Sequence, residues 1–177
     1  MKKLILSVLL VFAFSFTGQA QLFRLGVKAG PNFANFTGGE IQTKTRTSFH
    51  VGAAAELGLS KKFAIAPEFL YTSQGADVNG FGDINLDYVS VPVLARIYLV
   101  EEKFSIDLGP QFSFLVADAK EAFDNEEFDF AVAGGVTLNV TKSIFAQARY
   151  VAGLTEASKE AEIKNSVFQL SVGYNFL

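Results

Sequence analysis

His50 is the only histidine in the chain, and Ser48, Ser73 and Asp129 are the residues whose types would complete a reactive set around it. A hydroxyl deprotonated by a histidine that a carboxylate orients is an activated nucleophile, suited to acyl transfer or hydrolysis. Nothing in the spacing requires this arrangement, and a lone histidine near a rim is ordinarily a solvated or hydrogen-bonded residue. The acidic run Asp118, Glu121, Asp124, Glu126, Glu127 and Asp129 offers hard oxygen ligands for a divalent cation, although a solvated acidic loop is the plainer reading. Gly80-Phe81-Gly82 lacks the strand-to-helix context of a phosphate loop. Asn35-Phe36-Thr37 matches a glycosylation sequon. The absence of cysteine removes thiolate catalysis, thiolate metal sites and disulfides together. The expectation is a protein with no catalytic residue, no cofactor and no metal.

A second set of chemically capable residues is larger. Arg24, Lys28, Arg96 and Arg149 alternate with small or apolar neighbours, and so do Glu56, Glu68, Asp107 and Asp129. Four charges of each sign on one inward face would neutralise one another. What they do depends on the elements that carry them.

Those elements are strands. From Val167 onward the final stretch, Lys164 to Leu177, alternates without exception, with Phe168, Leu170, Val172, Tyr174 and Phe176 on one face and Val167, Gln169, Ser171, Gly173 and Asn175 on the other. The same period marks Phe23 to Gly30, closed by Pro31, then Ser48 to Leu59, Phe63 to Gln74, Tyr88 to Leu99, Phe104 to Phe114, Phe128 to Val140 and Ile144 to Leu154. Pro67 in the third strand implies a bulge or a missing ladder bond. Asn32 to Arg46, Gly75 to Asp87, Ala117 to Glu127 and Glu156 to Ile163 read as long loops. The connections at Lys61 and Lys62, at Val100 to Lys103 and at Thr141 to Ser143 are short.

The start of the chain supplies an address. Lys2 and Lys3 precede an apolar run of 13 residues, Leu4 to Phe16, and small residues at Gly18 and Ala20 place a cleavage before Gln21. The run is too short for a membrane helix. This divides the chain into a signal peptide, 1–20, and one domain, 21–177. Without Lys2 and Lys3 the 15 basic residues become 13 against 18 acidic, a net charge of −5 over 157 residues. Scattered lysines on an acidic chain argue against a nucleic-acid partner.

Eight strands whose connections alternate long and short, behind an export signal, point to an eight-stranded antiparallel up-and-down transmembrane β-barrel in the outer membrane, its short turns in the periplasm and long loops outside. The rival is a soluble periplasmic barrel or sandwich with the apolar face turned in, but its outer face should be rich in Lys, Glu and Thr. Here the other face is mostly Gly, Ala and Ser with isolated charges, which suits a narrow lumen. Phe49, Tyr71, Phe112, Phe128, Tyr150 and Phe168 near one end, and Phe63, Phe104 and Phe176 near the other, would form interfacial girdles.

With that geometry the lumen charges become a plug. Glu56 and Glu68 fall opposite each other or one diagonal step apart across the Lys61 to Phe63 hairpin, and Arg96 on the next strand is the nearest cation by connectivity, so a Glu56, Glu68, Arg96 cluster is expected. An eight-stranded barrel is only wide enough for side chains to fill it, which disfavours a conducting pore.

Along nearly all of its exported length the chain resembles the PorT-like outer-membrane β-barrel family of Bacteroidota. The resemblance is carried by Leu25-Gly26-Val27-Lys28-Ala29-Gly30-Pro31-Asn32-Phe33, Pro67-Glu68-Phe69-Leu70-Tyr71, Gln74-Gly75-Ala76, and Val91-Pro92-Val93-Leu94 before Arg96. Leu108-Gly109-Pro110, Ala148-Arg149-Tyr150 with Gly153-Leu154, and Val172-Gly173-Tyr174-Asn175-Phe176 complete it. It departs from such barrels at Leu177, which follows the aromatic residue they end on. The resemblance implies contact with outer-membrane lipids, handling by the barrel-insertion machinery through the last strand, and an envelope protein partner, because the named member is linked to protein secretion. The expected role is structural or surface-interactive and non-enzymatic, with a secretion accessory as the alternative, and a lipid-modifying enzyme or a narrow pore behind both.

Overall fold

The computed structural model describes residues 23–37, 43–78, 82–118, 128–155 and 164–177. The expected signal peptide 1–20, most of the acidic loop up to Glu127 and the loop Glu156 to Ile163 lie outside the described residues. Eight antiparallel strands form one closed barrel: β1 (Phe23–Thr37), β2 (Arg46–Gly58), β3 (Phe63–Val78), β4 (Gly82–Val100), β5 (Phe104–Asp118), β6 (Phe128–Asn139), β7 (Ile144–Gly153) and β8 (Lys164–Asn175). Each pairs with its sequence neighbours, and β8 returns to pair with β1. The pair Thr43–Lys44 adds a short strand against Val78 and Asp77 of β3. Closure satisfies the backbone of every strand sideways, which is what a sheet needs to stand in hydrocarbon.

The apolar face is outside. Phe69, Leu108 and Val172 are 58%, 59% and 64% exposed, while Ala131, Asp107 and Arg149 on the other face are 1% exposed or less. A soluble barrel would show the reverse, so the inverted alternative is ruled out by orientation alone. Outward rings pair across strands toward the long-loop end, Phe49 with Tyr71 at 6.1 Å between centroids and Phe114 with Phe128 at 5.5 Å.

Hydroxyls close the short turns. Ser60 Oγ accepts from the Phe63 amide at 3.1 Å, and Thr141 Oγ1 from the Ile144 amide at 2.9 Å. Glu102 adopts a left-handed conformation, φ 55°, in the short turn between β4 and β5, and its carbonyl accepts from Asn139 Nδ2 at 2.8 Å.

Strand ends differ from the sequence expectation. β1 does not stop at Pro31: it runs to Thr37, because Asn32 to Ala34 keep partners on both sides, Ser48 to Arg46 in β2 and Gln169 to Val167 in β8. The ring nitrogen is accommodated by a skipped stretch, since the β1–β8 ladder passes from Ala29–Val172 to Asn32–Gln169 without a register change. Likewise Gly75 to Val78 and Gly82 to Asp87, read as loop, are a paired extension of β3 and β4. Beyond the apolar band side-chain alternation is no longer enforced, so polar, glycine-rich sequence remains in the ladder. At Pro67 the β2–β3 ladder skips from Ala54–Glu68 to Leu57–Ile65 in constant register, a missing stretch of bonds and not a bulge.

Space inside is taken up to contact. Phe145 turns inward on β7 opposite Gly173 of β8, where a Cβ would come within 2.1 Å of the ring. Only glycine fits beneath that ring.

Candidate functional site

The inward face of the sheet gathers the polar residues into layers. At the periplasmic end two cross-strand pairs start the network, Arg24 opposite Glu56 and Arg96 opposite Asp107. Arg24 Nη1 donates to Glu56 Oε1 at 3.1 Å, and Tyr98 OH donates to the same carboxylate at 2.9 Å. Arg96 reaches both acids: Nη1 donates to Glu56 Oε2, while Nε and Nη2 form a fork with the two Asp107 oxygens at 3.0 Å each. Ser105, Thr137 and Gln147 also donate to Asp107.

Gln147 links this layer to the next. Its Oε1 accepts from Lys28 Nζ at 2.7 Å and from Arg149 Nη2 at 2.9 Å. Those two cations share Glu68, Lys28 Nζ at 2.8 Å from Oε2 and Arg149 Nη2 at 2.6 Å from Oε1. Toward the outside the polar layer is neutral. Asn32 Oδ1 accepts from His50 Nδ1 at 2.7 Å and from Gln169 Nε2 at 3.0 Å, and Ser171 Oγ lies 2.8 Å from His50 Nε2. Because an amide oxygen only accepts, Nδ1 is the protonated nitrogen of His50.

The expected Glu56, Glu68, Arg96 cluster is corrected by these contacts. Arg96 takes Glu56 and Asp107, and Glu68 belongs to Lys28 and Arg149. Glu56 and Glu68 are indeed diagonal, since Glu68 stands opposite Ala54, but their side chains diverge into separate layers: Glu56 meets the expected Arg96 and also Arg24, while Glu68 meets Lys28 and Arg149, from strands that the hairpin does not reveal. Asp129 stands apart at the outer rim, where Thr155 Oγ1 donates to it at 2.6 Å.

The nucleophile set suggested by the sequence does not assemble either. Ser48 Oγ donates to the Ser73 carbonyl at 2.6 Å, and His50 turns instead to Asn32 and Ser171. Ser171, His50 and Asn32 do line up as hydroxyl, imidazole and orienting amide, but all three are at most 4% exposed, so the described interior gives a substrate no path to them. Among the described residues no group of three His, Asp or Glu side chains is placed to hold a metal. Tyr98, Thr137, Gln147, Gln169 and Ser171 join the network from inward positions that the alternation of their strands marks without naming a partner, and Asn32 joins it from polar, glycine-rich sequence that reads as loop.

A cavity of about 280 Å3 opens at the periplasmic mouth, lined among others by Arg24, Glu56, Ser60, Lys61, Tyr98 and Glu102. It stops at the Arg24–Glu56–Tyr98 contact. Beyond it, Lys28, Glu68, Asp107, Gln147 and Arg149 are all at most 5% exposed, so water at the mouth meets a filled lumen.

A closed eight-stranded sheet with lipid-compatible residues outside and a salt-bridged lumen defines a small outer-membrane barrel. The chain belongs to the outer membrane protein beta-barrel domain family, whose sequence profile matches residues 19–159, and it resides in the outer membrane. Its fold is similar to that of Ail, the attachment invasion locus protein of Yersinia pestis, at a TM-score of 0.59 and 14% identity over 88% of this chain and 100% of Ail. Another Ail structure is a complex with the heparin analogue sucrose octasulfate. OprG of Pseudomonas aeruginosa matches at a TM-score of 0.54 and 10% identity, over 88% of this chain and 94% of OprG. Neisserial surface protein A matches at 0.53 and 13%, over 87% of this chain and 97% of its own. A comparison with curated proteins finds no significant match. Identities this low speak for the fold alone.

Proposed function

We propose that this protein is a non-enzymatic, non-conducting barrel that presents an acidic outer end to a cationic partner. The observation that carries the reading is the pairing of a filled lumen with charge asymmetry between the two ends. Seven of the eight inward charges are spent on one another through Arg96, Glu68 and their neighbours, which leaves little for transport or catalysis. The four outer segments 32–46, 75–87, 117–127 and 156–163, strand extensions together with the connections they carry, contain 12 Asp and Glu against 4 Lys and Arg. Such a surface repels polyanions and steers cations toward it. Sucrose octasulfate is a polyanion, so a ligand of the Ail kind is disfavoured here, and a basic peptide or protein surface is favoured.

The test uses the full barrel in lipid nanodiscs, titrated with a cationic peptide and with heparin. The expected result is peptide binding that weakens with salt and is lost when 117–127 is replaced by a Gly-Ser segment of equal length. Heparin binding without peptide binding would overturn the reading, as would stepwise conductance of the pure protein in planar bilayers.

The residues shared with PorT-like barrels favour a second reading, an accessory of an envelope protein-secretion system. It is supported by the open periplasmic mouth and its flanking Lys61, Lys62, Lys103 and Lys142. Its mark is cargo retained in the periplasm of a deletion strain while surface binding is unaffected. Under both readings the leader 1–20 directs export, and β8 with Phe176 is what the insertion machinery engages.

A further inference from the structure

Three polar atoms inside the barrel, on side chains at most 2% exposed, have no hydrogen-bond partner among the described residues: Arg149 Nη1, Gln169 Oε1 and Gln111 Oε1. Buried polar groups are nearly always satisfied, by protein or by ordered water. Arg149 and Gln169 stand directly opposite each other on β7 and β8, so an unused donor and an unused acceptor occupy one cross-strand pair. Cβ atoms of such a pair are about 4.5–5.5 Å apart, which brings the long side chains within the span of one small molecule.

Neither group can satisfy itself by turning. Gln169 Nε2 donates to Asn32 Oδ1 at 3.0 Å, and the Asn32 amide is locked in its own orientation because its Nδ2 faces the Phe49 and Ser73 carbonyls at 3.0 and 2.9 Å. Flipping Gln169 would put oxygen against oxygen. Arg149 is anchored at Nη2 by Glu68 and Gln147, which aims Nη1 away from both.

We infer that the lumen holds one buried water between Arg149 Nη1 and Gln169 Oε1. A water accepts from the guanidinium and donates to the amide oxygen, which satisfies both groups of the pair at once. A halide matches the charge, because Lys28 and Arg149 face the single carboxylate of Glu68, but it would stand against an amide oxygen. The donor and acceptor pattern therefore selects the neutral molecule. This water joins the charged layers, which end at Arg149, to the neutral layer that begins at Gln169 and continues through Asn32 to His50 and Ser171. The lumen becomes one network from periplasmic mouth to outer third. The inference rests on the reading of the lumen as filled, and deepens it.

The experiment is a high-resolution crystal structure of the full barrel grown in sodium bromide, together with urea unfolding of Arg149→Met, Gln169→Met and the double variant in lipid vesicles. A density peak without anomalous signal, within hydrogen-bond distance of Arg149 Nη1 and Gln169 Oε1, is expected. Gln169→Met should shift the unfolding equilibrium by about tenfold, Arg149→Met by more because it also strips Glu68 of one of its two cations, and the double variant by less than the two shifts combined, because either change releases the same water. An anomalous bromide peak at that point would overturn the proposal in favour of an anion. So would direct contact between the two side chains without density between them, or fully additive variants. The diffraction result needs no variant to fold, and planar-bilayer recordings separate the two readings. A silent barrel with no water refutes only the inference, while a conducting barrel refutes the filled lumen itself.

Discussion

Replacing Arg96 by methionine tests whether the lumen network holds the barrel together. Arg96 is 7% exposed and its guanidinium contacts two carboxylates, with a fork to Asp107 directly opposite on the next strand. Methionine keeps much of the volume and removes the charge. Glu56 retains Arg24 and Tyr98, so its loss is partial. Asp107, 1% exposed, keeps only neutral donors from Ser105, Thr137 and Gln147, and becomes a carboxylate without a counter-charge. Breaking a buried pair from one side costs roughly 3 to 5 kcal/mol, and the three remaining donors place this case near 3. With a urea dependence of about 2 kcal/mol per molar, the unfolding midpoint in lipid vesicles should fall by roughly 1.5 M. The folded fraction is read from the faster-migrating band of unboiled samples at each urea concentration. Adding Asp107→Leu should recover most of the loss, since replacing both members of a buried pair by apolar groups is close to neutral. An Arg96→Met barrel that unfolds within about 0.3 M of the parent, set against the 1.5 M expected from a broken buried pair, would refute the argument. A double variant no better than the single would refute it equally.

Other perturbations probe the two faces separately. Leu108→Arg places a charge on the lipid-facing surface several residues above the periplasmic turn, and should cost about 2–4 kcal/mol in vesicles, measured in the same urea assay; no effect would mean that this face does not meet hydrocarbon. Gly173→Val drives a side chain into the Phe145 ring and should cost about 1–3 kcal/mol by overpacking, largely relieved by Phe145→Ala in a double variant. His50→Ala should leave the lipid profile of the outer membrane unchanged by mass spectrometry, because both ring nitrogens are committed inside a closed lumen; a changed profile would return the Ser171, His50 and Asn32 alignment to consideration as a catalyst.

Alternation along each strand already separates the two faces, and this is a local property. A side chain two residues on points the same way, so Val172 and Arg149 could be assigned to lipid and lumen without knowing their neighbours. Strand number follows from the same pattern, because four long and three short connections return both ends of the sheet to one side. Partners are a different matter. Glu68 meets Lys28 from β1 and Arg149 from β7, and which inward side chains meet across a closed lumen depends on strand stagger and barrel curvature, which no single strand encodes. Strand ends were also beyond local reading: Asn32 to Thr37 and Gly82 to Asp87 carry no clear apolar period, yet they pair because neighbouring strands supply ladder partners. The sequence by itself therefore determined the class of fold, the inside and outside of the sheet and the charges that enter the lumen, all from period-two chemistry. Only the tertiary structure decided that Arg96 joins Asp107, that Glu68 joins Arg149 and that His50 is held between Asn32 and Ser171. Glu68 and Arg149 are 81 residues apart and His50 and Ser171 are 121 apart, separations that only closing the sheet on itself brings into contact, whereas Arg96 and Asp107 face each other within one hairpin whose register the fold fixes.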